Sequence, residues 1–122
     1  MLVRTLLFFS LFPVAPGCLF RRQPPTVASG AEIYRMQNCA NCHGERREGT
    51  RLGPPLAGLG SHWTGELLAE YLVDPPAMAA RDARLKALDE QYGASAMGRY
   101  DNLDLAQRSR LAGWLLAEGE RP

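Results

Sequence analysis

The stretch that most constrains this chain is Cys39-Ala40-Asn41-Cys42-His43. Two cysteines three positions apart share one face of a single helical turn, so both sulfurs can reach one edge of a flat ligand. The histidine that follows lies about 100° further round the helix. C-x-x-C-H is the attachment sequence of c-type haem. There the two thiols add across the vinyl groups on neighbouring pyrrole rings. The imidazole, here that of His43, rises under the iron as proximal ligand. Cys39 and Cys42 are therefore the expected covalent anchors of one haem c.

Two other chemistries use paired cysteines. A thioredoxin-like redox pair needs a βαβ context, and no such pattern of strands surrounds residues 39–43. A structural zinc site needs four ligands. The remaining candidates here are His62 and Cys18, and Cys18 sits in a segment with the marks of a processing signal. The chain has 122 residues, enough for one domain, and its 14 Lys and Arg nearly balance 13 Asp and Glu. No basic run with interleaved aromatics points to nucleic acid. A domain this short buries a modest core, to which a porphyrin adds a large apolar filler.

Residues 1–17 have the layout of an export signal. Arg4 supplies the positive end, Leu6 to Val14 the apolar run, and Ala15-Pro16-Gly17 the small residues before Cys18. Cys18 at that position resembles the lipidated first residue of a bacterial lipoprotein, with Ala15 where that pattern prefers Leu. Plain cleavage after Gly17 and an uncleaved anchor over Thr5–Phe20 are the alternatives; the second is short for a bilayer and contains Pro13 and Pro16. Each places the rest of the chain on the exported side. Residues 18–28 form a tether, with Pro24-Pro25 favouring extended geometry. Arg21 and Arg22 are placed to touch anionic headgroups if Cys18 carries lipid. The folded domain then runs over 29–122.

Within it, Ser29 and Glu32 form a capping box that starts a helix. The apolar pattern of Ile33, Tyr34 and Met36 predicts that this one helix runs on into the C-x-x-C-H. Residues 44–60 carry five glycines and two prolines without helical or strand period, a connection long enough to need something to order it. Bound haem is the expected organiser. Arg46, Arg47 and Arg51 read as part of a solvated loop. Thr64 is placed to cap a second helix, with Trp63 and Leu68 as a hydrophobic staple and Asp74-Pro75-Pro76 as its stop. His62 reads as a surface or capping histidine. A third helix is expected over 77–92, with a thin apolar stripe of Met78, Leu85 and Leu88. The last helix starts at Asp104 with Gln107 as box partner, and Leu111, Trp114 and Leu115 follow the helical period.

In order and spacing, residues 29–119 resemble class I cytochromes c. Gly30-x-x-x-Tyr34 before C-x-x-C-H is similar to that family's first helix, whose small residue and aromatic pack on the last helix. Trp114 matches the aromatic there. Gly53-Pro54-Pro55-Leu56 is similar to the family's Gly-Pro-x-Leu, which implies that the Pro54 carbonyl orients His43 and that Leu56 covers the porphyrin. Met97, in a loop of small residues before Tyr100 and the last helix, corresponds to the axial methionine, with Gly98 where Pro is usual. Met78 is the alternative sulfur ligand, beside a helix where methionine is ordinarily core. The resemblance implies an all-α fold, three to four helices around one covalently bound haem.

The function it implies is single-electron transfer, since iron held by both His43 and Met97 has no site left for substrate and moves only an electron. The expected partners are redox proteins such as a membrane oxidase or reductase, reached through small transient contacts. A lipid on Cys18 adds the membrane surface on the periplasmic side. Two alternatives differ in class. One is a haem sensor or peroxidase-like enzyme with an open distal site; the other is a fixed haem subunit of a larger oxidoreductase complex.

Overall fold

The computed structural model describes residues 27–93 and 97–119. The expected export signal, most of the expected tether and Cys18 lie outside the described residues.

The described residues are helical, with no strand among them and one isolated bridge between Thr50 and Gly53. Six α-helices follow in order: α1 Gly30–Met36, α2 Ala40–His43, α3 Gly65–Tyr71, α4 Pro75–Ala79, α5 Ala83–Tyr92 and α6 Leu105–Gly119, with a 3₁₀ turn at Leu59–Ser61. The all-α expectation is met, with more and shorter helices than the three to four anticipated. Two of the divisions have clear causes.

The helix expected to run unbroken into the C-x-x-C-H stops at Met36. Asn38 has φ 57°, a left-handed conformation that Asn tolerates better than other side-bearing residues. Around it the Asn38 amide donates to Arg35 O at 3.0 Å and the Cys39 amide to Tyr34 O at 3.1 Å. This pair of bonds is the Schellman helix ending. It turns the chain so that the Cys39–His43 turn begins at a new angle.

The helix expected over 77–92 is likewise two. Pro75 and Pro76 stop α3 but also occupy the first turn of α4, where a missing N–H costs nothing. Asp74 caps α4 through Ala77 N at 3.1 Å. Asp82 then caps α5 by accepting from Arg84 N at 2.9 Å and Leu85 N at 3.0 Å.

The remaining caps follow the sequence. Ser29 and Glu32 close their box at 3.3 and 2.7 Å. Thr64 Oγ1 accepts from Leu67 N at 3.2 Å. Asp104 and Gln107 exchange bonds of 2.9 and 2.7 Å.

α6 is the spine, with its main contacts to α1 and α3. The α1–α6 crossing is close because Gly30 has no side chain. A Cβ there would lie 2.6 Å from the Arg110 carbonyl oxygen and collide with Trp114 Cβ. Tyr34 packs on Trp114 with ring centroids 5.3 Å apart. The core gathers Ile33, Leu68, Leu72, Leu85, Leu111 and Leu115, each at most 6% exposed. No helix among the described residues is long and apolar enough to cross a membrane.

Candidate haem site

The four-residue α2 sets the two thiols and the imidazole. The His43 amide donates to Cys39 O at 2.9 Å and the Cys42 amide to the same oxygen at 3.2 Å, so Cys39 to His43 form one helical turn. Cys39 and Cys42 are unpaired and half-buried. Burial, aided by the neighbouring Cys42, pushes the Cys39 thiol up to about 11.

His43 is buried. Its Nδ1 lies 2.8 Å from the Pro54 carbonyl oxygen. That oxygen can only accept, so Nδ1 carries the proton and the lone pair stays on Nε2. Burial lowers the pKa of His43 more than the Pro54 bond raises it. The ring is thus held neutral, the form that ligates a metal.

Pro54 reaches His43 because the 44–56 loop is tied to α2 by its own hydrogen bonds. Gly49 N donates to His43 O at 2.8 Å and Leu56 N to Arg47 O at 2.9 Å. Thr50 N donates to Gly53 O at 3.0 Å, and Thr50 Oγ1 to Cys42 O at 2.7 Å. The Tyr34 hydroxyl donates to Gly44 O at 2.8 Å. Gly49 has φ 81°, and a Cβ on it would meet Pro55 N at 2.6 Å. These bonds tie the loop to α2 alongside the haem expected to order it.

Arg47 differs from expectation too. It is half-buried, its guanidinium 4.7 Å from the Trp114 ring centroid and 3.3 Å from Glu118 Oε2. It fastens the loop to α6, while Arg46 and Arg51 are exposed. Thr50 and Arg47 carried no signal in the sequence: each acts through a contact that loop composition does not encode.

The two thiols and the imidazole face one cavity of about 700 Å³, within the usual range for cofactor sites. Cys39, Cys42, His43, Pro54, Leu56 and Met97 all line it. Met97 is half-buried and packs on the core. Met78 also packs on the core but is not part of the cavity lining. His62 is exposed at the cavity edge, and Trp63 is buried in the wall. Trp63 packs on Tyr71 at 4.9 Å, with the Arg84 guanidinium 5.1 Å from its centroid. Burial pushes the Tyr71 hydroxyl up to about 12. It also raises that of Tyr100, with Cys39 and Cys42 as further causes.

The residues fit a haem. The cavity joins an apolar interior to two unpaired thiols, an imidazole with Nε2 available, and a thioether. Among the described residues no cluster of three or more His, Cys, Asp or Glu could hold a bare metal ion. Residues 27–117 match the family model described as Cytochrome c.

The chain belongs to the cytochrome c family. Members bind covalent haem c, and the cytochrome c domain makes this chain a haem-based electron carrier. Comparison with curated proteins gave no match, and comparison with solved structures gave none. Within this cytochrome c, Cys39 and Cys42 would hold the porphyrin by thioether bonds. His43 Nε2 would bind iron, and Leu56 would face the ring.

Proposed function

We propose that this cytochrome c carries single electrons on one haem, ligated by His43 and Met97, between membrane-associated redox partners. The observation that carries the reading is the sharing of one cavity by His43, with its Nδ1 committed to Pro54, and Met97. Met78 lies outside that lining, which favours Met97 as the sulfur ligand. Haem iron supplies a one-electron couple whose potential a thioether ligand raises.

The chain's own part is to hold and shield. The 44–56 loop fixes the His43 ring, which keeps ligand geometry constant between oxidation states. The leucines of α3, α5 and α6 give the cavity an apolar wall. Donor and acceptor, such as a membrane reductase and oxidase, would dock transiently at the cavity rim. The export signal and Cys18 support a place on the periplasmic face of a membrane, with residues 18–28 as a tether that confines the search for partners.

The test is the oxidised absorption spectrum of the matured protein and of Met97→Ala. The expected result is the weak long-wavelength iron–sulfur band in the wild type and its loss in the variant. A high-spin wild-type spectrum without that band overturns His/Met ligation and favours an open distal site, hence a sensor or peroxidase-like enzyme.

A further inference from the structure

The two sides of the cavity are fastened differently. On the side of His43, the 44–56 loop is bound to α2 by a dense set of hydrogen bonds. On the side of Met97, the next residue is Gly98, where a Cβ would meet nothing within 4 Å. The space at Gly98 is open, and glycine restrains its own backbone less than any other residue. The first fixed point after it comes at once. Arg99 Nη2 lies 3.3 Å from Asp74 Oδ2, and the Tyr100 amide donates to Leu72 O at 3.0 Å. Both partners sit at the α3–α4 corner.

Asp74 is preset for this contact. Its other oxygen, Oδ1, already accepts from Ala77 N at 3.1 Å as the cap of α4. A carboxylate held by its own cap loses little further freedom on taking a guanidinium, which removes part of the usual entropic cost of a surface pair. Asp101 lies further from Arg99, at 3.9 Å.

We propose that the Asp74–Arg99 ion pair is a positioning device for Met97, holding its thioether at the cavity by anchoring the chain two residues downstream. The proposal rests on Met97 being the sulfur ligand. The physical basis is the length of free chain: the closer the anchor, the higher the local concentration of the sulfur at the iron. Here a charged pair supplies restraint at a position where Gly98 supplies none. Neither side chain touches the haem site, so the effect runs wholly through Met97.

The experiment uses the matured haem protein and imidazole as a competing ligand for oxidised iron. Apparent imidazole affinity rises with the fraction of protein in which Met97 has let go. An exposed pair worth the usual ~0.2–1 kcal/mol converts to about 1.5- to 5-fold. Arg99→Gln and Asp74→Asn should each tighten imidazole binding by that factor. Asn keeps the α4 cap, so the second variant should stay folded. The double variant should match the singles rather than their product. Added salt should tighten imidazole binding in the wild type and leave Arg99→Gln unchanged, a response that a purely structural residue does not produce. Unaltered affinity in both single variants, with the iron–sulfur band present in the wild type, overturns the proposal and leaves Met97 ligation standing. Absence of that band in the wild type overturns both.

Discussion

The proton on His43 is placed by one carbonyl. Pro54 O lies 2.8 Å from Nδ1, and an acceptor there leaves Nε2 as the only ligating atom. The Gly-Pro-x-Leu pattern made that contact legible in the sequence alone. What the pattern left out is Thr50, whose hydroxyl bonds the Cys42 carbonyl, and Arg47, packed on Trp114. Both are single residues in a loop without periodicity, and such residues declare themselves only through the fold. Gly98 is the opposite case: its departure from the family's Pro was visible in the sequence, and the space around it is open. Its φ lies outside the left-handed region, so Ala fits without strain. Gly98→Ala should stabilise the closed loop by ~0.4–1 kcal/mol by restricting alternative chain conformations. Imidazole titration of the haem protein should then show affinity weakened by about 2- to 5-fold.

At the scale of elements, three helix starts were readable and two internal breaks were not. Ser29, Thr64 and Asp104 each cap as their sequence pattern indicates, because a cap is a local bond between residues three apart. The stop at Met36 depends on Asn38 entering the left-handed region, which an apolar stripe running on through Cys39 conceals. The break between α4 and α5 hides in the same way, since the helical stripe of 77–92 continues across Asp82. Asn38→Ala should lose about 1 kcal/mol, because Ala tolerates φ 57° less well. Asn38→Gly should hold or gain stability. Denaturant midpoints at unchanged slope check both. If Asn38→Ala is neutral, the Schellman turn does not control the angle between α1 and the C-x-x-C-H turn.

For the molecule as a whole, α6 serves two purposes. It receives α1 at the Gly30–Trp114 crossing, and with Leu111 and Leu115 it lines the cavity. Core and cofactor site are therefore one structure, which the order of motifs along the chain implied and a 700 Å³ apolar cavity makes concrete. Tyr34, buried, and Tyr71, half-buried, give this core a pH limit. Tyr34 and Tyr71 are both pushed up to about 12 from an ordinary 10.0, chiefly by burial. A raised phenol pKa means that the fold favours the neutral form. Their contribution is therefore full below pH 10 and lost as pH climbs from 10 towards 12. Thermal unfolding followed across that interval should show falling stability, and Tyr71→Phe should flatten the fall. A wild-type profile flat to pH 12 would show that these hydroxyls reach water in the fold.

Everything proposed for this chain turns on Cys39 and Cys42 holding one haem c in the cavity between α2, α3 and α6. Pyridine haemochrome analysis of protein matured in cells competent for cytochrome c assembly tests it most directly. The expected result is one haem per chain, with the spectrum of two saturated vinyl groups, and pigment that stays with the polypeptide on acid–acetone extraction. A colourless chain, or haem that extracts freely, contradicts it.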